Sequence, residues 1–194
     1  IIPLPEDKVP IVIAGGSFNA KGRKTEIKKE EEEAIKELVS NIDGNKAYFV
    51  VGHKMEGYEK AIVDIAKKAK KKIEVDAIIP KKLSKEESKM LNKEINGVRI
   101  STEAEELGIY KSFNYEIFER RNSIVVAFDG NSPVSNLVQE AKNGKGKAKI
   151  YVNEDVETLK EKAKSLKGYV TTFNTKESIA SKIFSDHPEL KNKE

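Results

Sequence analysis

Two hydrophobic patterns alternate along the chain. Val9–Ala14 reads VPIVIA, a continuous apolar, β-branched run closing on Gly15 and Gly16, which predicts a strand buried on both faces and followed by a glycine turn. Residues 26–40 then place Ile27, Ala34, Ile35, Leu38 and Val39 at helical spacing, with glutamates and lysines opposite; the interleaved charges of 28–36 read as a solvated helix face. Turn chemistry at Asp43, Gly44 and Asn45 ends that helix. The plan repeats: Ala47–Val51 (AYFVV) runs into Gly52 and His53. After Gly57 and Tyr58 a helix turns Ala61, Ile62, Ile65, Ala66 and Ala69 inward.

Residues 73–80 (IEVDAIIP) predict a third strand whose proline marks the exit to a ligand-facing loop. The lysine- and glutamate-rich stretch 81–111 carries a helix near 85–92 and a short strand at 97–101. A helix over 114–121 feeds a strand at 123–128 (SIVVAF) that ends on Asp129, Gly130, Asn131 and Ser132. Helices over 134–143, 158–166 and 177–184 alternate with strands over 148–152 and 169–173. Strands and helices alternating at this spacing imply right-handed crossovers: an α/β, Rossmann-like, doubly wound and mostly parallel sheet flanked by helices. Ligands bind such sheets at the carboxyl ends of the strands, where the strand order reverses.

Composition narrows the function classes. A chain of 194 residues suits one domain, taken as 9–188, with 189–194 a flexible tail. Residues 1–8 carry two of the three prolines found before Ile11 and read as a linker from an upstream effector domain in the same chain. With no cysteine there is neither a disulfide framework nor a thiolate metal site, and no metal is expected. No apolar run approaches the ~18 residues of a membrane span, so the expectation is a cytoplasmic protein without a membrane partner. Lysine and arginine exceed aspartate and glutamate by only 4, which leaves little of the basic footprint that nucleic-acid binding requires. The denser run Lys67, Lys68, Lys70, Lys71 and Lys72 reads as a basic helix end complementing the helix dipole.

Candidate chemistry gathers at three predicted strand ends. At Gly15, Gly16 and Ser17, and again at Gly52, His53 and Gly57, glycine lets backbone N–H groups close on an anion with a helix dipole behind them. Ser132, Ser135 and Asn136 begin the helix after Asp129 and Gly130, where they can cap it or bind phosphate. Arg120 and Arg121 precede the same strand and could pair with phosphate in bidentate fashion. Phe113 and Tyr115 could stack an adenine or pack in the core.

Three blocks, IVIAGGS, VVGHKMEGYEKAIVDIAKKA and NYEIFERRNSIVVAFDGNSPVSNLVQEA, resemble the SLOG superfamily. That superfamily joins LOG-type phosphoribohydrolases, the DNA-processing protein A family and ligand-sensing domains of Thoeris-type anti-phage NADase effectors. The resemblance implies a nucleotide pocket built from Gly15, Gly16, Ser17, Phe18, Gly52, His53, Gly57, Tyr58, Gly130, Asn131, Ser132 and Ser135, with Arg120 or Arg121 as countercharge. The third block departs from the LOG turn PGGxGTxxE: Asn131 replaces the second glycine, and Glu140 falls one residue late.

An N-glycosidic hydrolase needs a carboxylate against the sugar. The departure therefore favours a sensor that binds an NAD-derived or cyclic ADP-ribose-type second messenger, without a cofactor and as a homo-oligomer. The enzymatic alternative, a nucleotide N-glycosidase or deoxyribosyltransferase-like protein, would draw its carboxylate from Glu140, Glu116 or Asp129. Single-stranded DNA binding is the third class.

Overall fold

A continuous apolar strand can be accommodated only where both of its faces are covered, and the sheet is arranged accordingly. The computed structural model describes residues 4–15, 26–52, 57–79, 85–86, 89, 91, 100–101 and 113–193. Within them seven strands form one sheet in the order β4-β3-β2-β1-β5-β6-β7, and every neighbouring pair is parallel. The strands are β1 (Val9–Ala14), β2 (Ala47–Val51), β3 (Val75–Ile79), β4 (Ile100–Ser101), β5 (Ile124–Ala127), β6 (Lys149–Asn153) and β7 (Val170–Phe173). The helices between them are α1 (Lys29–Asn41), α2 (Tyr58–Lys68), α3 (Ser132–Asn143), α4 (Glu157–Ser165) and α5 (Ile179–Asp186). The Rossmann-like α/β architecture read from the sequence is therefore the observed one.

Alternate residues of each strand feed two separate cores. Ile11, Ile13, Phe49, Val51, Val126 and Phe128 pack against α1, α2 and α5 on one face. Val12, Ala14, Tyr48, Val50, Val125 and Ala127 pack against α3 and α4 on the other. The segment expected as an ordinary helix over 114–121 is a single π-helical stretch, Asn114–Glu119, whose Ile117 and Phe118 enter the second core. Phe113 packs edge-on against Phe118, with ring centroids 5.9 Å apart, so it belongs to the core. Tyr115 is 51% exposed and lies under the Arg120 guanidinium. Helix α1 begins at Lys29, three residues later than the periodicity of 26–40 implied, with Lys28 as its N-cap.

Both ends of the described chain are tied to the amino edge of the sheet. Leu4, within the 1–8 stretch, is buried in the second core. The expected flexible tail is likewise docked: Leu190 is buried, its carbonyl accepts from Asp43 N at 2.8 Å, and Asn192 N donates to Asn41 O at 2.7 Å.

Arg120 and Arg121 do not reach the carboxyl ends of the strands. They precede β5, which in a parallel sheet places them at the amino edge. Arg121, only 6% exposed, pairs with Glu116 at 2.7 Å and Glu6 at 3.2 Å and donates to the Glu116 carbonyl at 2.7 Å. Arg120 pairs with Glu6 at 3.0 Å and Glu116 at 3.2 Å. These arginines and Glu116 form a structural clamp, not ligand countercharge or a catalytic carboxylate.

Removing Arg121 leaves the half-buried Glu116 without its closest partner. Arg121→Ala is expected to cost about 3–5 kcal/mol, the range for breaking a buried ion pair from one side. Arg120→Ala, at an exposed pair, should cost under about 1 kcal/mol. Urea unfolding of the two variants measures both.

Candidate functional site

Strand order reverses at β1, which has β2 on one side and β5 on the other, and sheets of this order bind ligands in a crevice beyond the carboxyl ends of the strands at that point, here β1 and β5. Those ends are level: Ala14 pairs with Ala127, and Phe128 N donates to Ala14 O at 2.8 Å. Gly15 and Gly130 follow immediately. Gly130 adopts φ +125°, where a side chain is strained, and a Cβ there would collide with Val134 and sit 3.2 Å from the Gly15 carbonyl. Two backbone turns thus approach each other as closely as glycine allows.

The β5 turn is held from beneath. Asn153 is buried at the end of β6, and its amide donates to Phe128 O at 2.9 Å while its oxygen accepts from Asp155 N at 3.0 Å. Thr158 Oγ1 donates to Gly130 O at 3.2 Å. Asn131 is the N-cap of α3 but makes no side-chain capping bond; its carbonyl accepts from Val134 N and Ser135 N, both at 3.1 Å. The positive end of α3, with exposed Ser132 and half-buried Ser135 in its first turn, therefore borders the crevice.

Tyr58 floors the other side. A Cβ on Gly15 would overlap the Tyr58 ring, so glycine is required there for close approach of side chain to backbone. The ring stacks on Phe128 at 5.7 Å and 11°, and Phe128 meets Phe173 edge-on at 5.5 Å. Tyr58 Oη donates to Glu31 Oε2 at 2.5 Å, while Glu31 Oε1 accepts from Lys28 N at 3.3 Å. One carboxyl group thus caps α1 and tethers α2 to it.

Glu31 is 3% exposed, which overturns the reading of 28–36 as wholly solvated. Burial pushes its pKa up from 4.5, against the opposing pull of the Tyr58 hydrogen bond, and Asp129 is close enough to add to the rise. Burial and the bond to Glu31 raise the Tyr58 hydroxyl as well. A signal for Glu31 was present, since it lies four residues after Ile27 and four before Ile35, on the apolar stripe.

Of the residues proposed from sequence, Gly15, Tyr58, Asp129, Gly130, Asn131, Ser132 and Ser135 surround this crevice. Gly52 ends β2, and Gly57 at φ 57° is the N-cap of α2, both at the carboxyl edge. Gly16, Ser17, Phe18 and His53 lie outside the described residues. Glu140 is exposed on the third turn of α3, away from the strand ends, so it supplies no pocket carboxylate. A separate groove of about 640 Å³ runs between α1 and α2 from Ile27 and Gly57; its walls carry Glu32 and Asp64 together with Lys36, Lys60 and Lys68.

Tyr58→Phe would leave a buried carboxyl oxygen unpaired, at an expected cost of about 1–3 kcal/mol by thermal or urea unfolding. Because the folded pKa of Glu31 is raised, the folded state holds its proton more tightly than the unfolded chain does. That contribution to stability is complete below 4.5 and is lost as pH rises through the folded value. Glu31→Gln should keep the Tyr58 bond and flatten this decline, as measured by unfolding midpoints between pH 4 and 8. Gly15→Ala should cost at least about 1–3 kcal/mol, since the stacked, hydrogen-bonded ring cannot swing aside.

No protein family profile matches the chain, and no curated protein does. Among solved structures, the chain is similar to DNA processing protein A from Helicobacter pylori, a single-stranded DNA-binding protein, at TM-score 0.57 and 14% identity, covering 93% of this chain and 82% of that one. The likeness is one of fold, and it agrees with the Rossmann-like α/β architecture.

Proposed function

We propose that the chain binds a phosphorylated, nucleotide-like ligand in the crevice between the carboxyl ends of β1 and β5. The observation that carries this reading is the meeting of Gly15 and Gly130 at the point of strand reversal, beside an α3 N-terminus that Asn131 leaves without a side-chain cap. The phosphate sits against the first turn of α3 at Ser132 and Ser135. The half-buried Asp129 faces ligand hydroxyls, a role carboxylates fill toward ribose in nucleotide-binding sheets.

In the finer form of this reading the ligand is an NAD-derived or other nucleotide second messenger, and occupancy regulates an attached effector. Its support is the resemblance of the three sequence blocks to sensing domains, together with the placement of Glu116 and Glu140 away from the strand ends. One observation favours the enzymatic alternative: Asp129 lies within electrostatic reach of the buried Glu31, so two carboxyl groups in different surroundings share one end of the sheet. N-glycosidic hydrolysis would rest on Asp129. Single-stranded DNA, the ligand of the Helicobacter protein, draws less support, because the lysine run 67–72 closes α2 at the amino edge, opposite the crevice.

The test is thermal stabilisation by AMP, ADP-ribose, NAD, cyclic ADP-ribose and a single-stranded oligonucleotide, with chromatography of each compound afterwards. Binding at 100 times Kd stabilises by about 2.7 kcal/mol. Ser132→Glu, at an exposed position, should leave stability unchanged and weaken binding by at least about tenfold through like-charge repulsion. Recovery of intact ligand supports the sensor, recovery of cleaved ligand supports the hydrolase, and no shift with any nucleotide removes the pocket assignment.

A further inference from the structure

Strand β3 carries a carboxyl group where an apolar side chain belongs. Asp76 is fully buried, opposite Val50 of β2 and on the face of the sheet that holds Tyr48, Val50 and Ile78. Glu74, two residues earlier, shares that face because side chains alternate along a strand. One step before the Phe49–Val75 pair, it stands opposite Tyr48.

Among the described residues, both oxygens of Asp76 and Oε2 of Glu74 are buried without a hydrogen-bond partner, as is the Tyr48 hydroxyl. An ionised, unpartnered carboxylate in such a place is costly, and nearly all buried polar groups in folded proteins are satisfied. The charges among the described residues do not relieve it. Arg121 is engaged by Glu116 and Glu6, and Lys8 reaches Asp76 only as the weakest of the influences on it. The Tyr48 hydroxyl is itself raised by burial and stays neutral.

Two carboxylates are acceptors only and cannot satisfy each other. A carboxylic acid beside a carboxylate makes an O–H···O bond and satisfies an oxygen on each. We propose that Glu74 and Asp76 hold a single proton between them, and that this shared proton is a pH-sensitive element built into β3, whose loss places two like charges in the core beside Tyr48.

Burial, followed by the charge of Glu74, pushes the Asp76 carboxyl up to about 8 from an ordinary 3.8. The folded chain therefore retains a proton that the unfolded chain has released. Stability falls as pH rises from the ordinary aspartate range to about 8 and levels off above it, and the unfolding equilibrium constant grows by up to about tenfold per pH unit within that window.

The experiment is urea unfolding from pH 5 to 9 of the wild-type chain and of Asp76→Asn, whose amide donates to Glu74 at every pH. The wild-type chain should lose stability across the window relative to Asp76→Asn, with the gap widening toward pH 8 and constant beyond. Parallel pH profiles for the two chains overturn the proposal. Should Asp76→Asn fail to fold, Glu74→Gln serves: its amide lets Asp76 ionise, so the wild-type decline shrinks. Carboxyl carbon NMR of the wild-type chain decides independently, since an Asp76 resonance titrating near 4 overturns the shared proton and one titrating several units higher supports it.

Discussion

A sheet buried on both faces leaves its polar groups almost nowhere to go but the two ends, and the rest of this molecule follows from that restriction. The strand interiors β1, β2 and β5 are apolar throughout on both faces. The amino edge collects Glu6, Arg120, Arg121 and Glu116 in a set of mutual ion pairs that fasten the first residues to the start of β5. The carboxyl edge collects Gly15, Gly130 and the first turns of α1, α2 and α3. Where the restriction is broken, at Asp76 and Glu31, the carboxyl group is forced toward its neutral form.

Glu31 and Tyr58 show how an interior polar contact can serve architecture and site together. Their hydrogen bond joins the first turns of α1 and α2 above the end of β1, and the Tyr58 ring fills the space that Gly15 leaves open. Phe128 stacks on that ring and Phe173 meets Phe128, so a buried aromatic row runs beneath the strand ends from α2 to β7. Stacking and the Tyr58–Glu31 hydrogen bond thus join α1, α2, β5 and β7 at one end of the sheet.

The alternation of strands and helices was legible because each strand had to be a continuous apolar run, and the glycine turns were legible because they interrupt those runs. Less legible were the features whose meaning depends on direction. Arg120 and Arg121 stand close in sequence to the β5 turn, yet a residue before a parallel strand lies a full strand length from the residue after it. Glu31 was hidden in a run of lysines and glutamates, where only its register with Ile27 and Ile35 distinguished it from a solvated neighbour. The tail looked frayed from its composition, but Leu190 finds a place against the α1–β2 turn that no local pattern announces. The π-helical geometry of Asn114–Glu119 also has no signature in its side chains, being set by how Ile117 and Phe118 reach the core.

The clamp at the amino edge and the docking of Leu190 and Asn192 bring both described ends of the chain to the same side of the sheet. A surface, a tether or a second folded unit joined at either end would thus hold the molecule by its base, with the glycine-lined crevice presented outward. Immobilisation through either terminus would leave that opening facing solvent. Between that base and the carboxyl edge run β1, β2 and β5, buried over nearly all of their length.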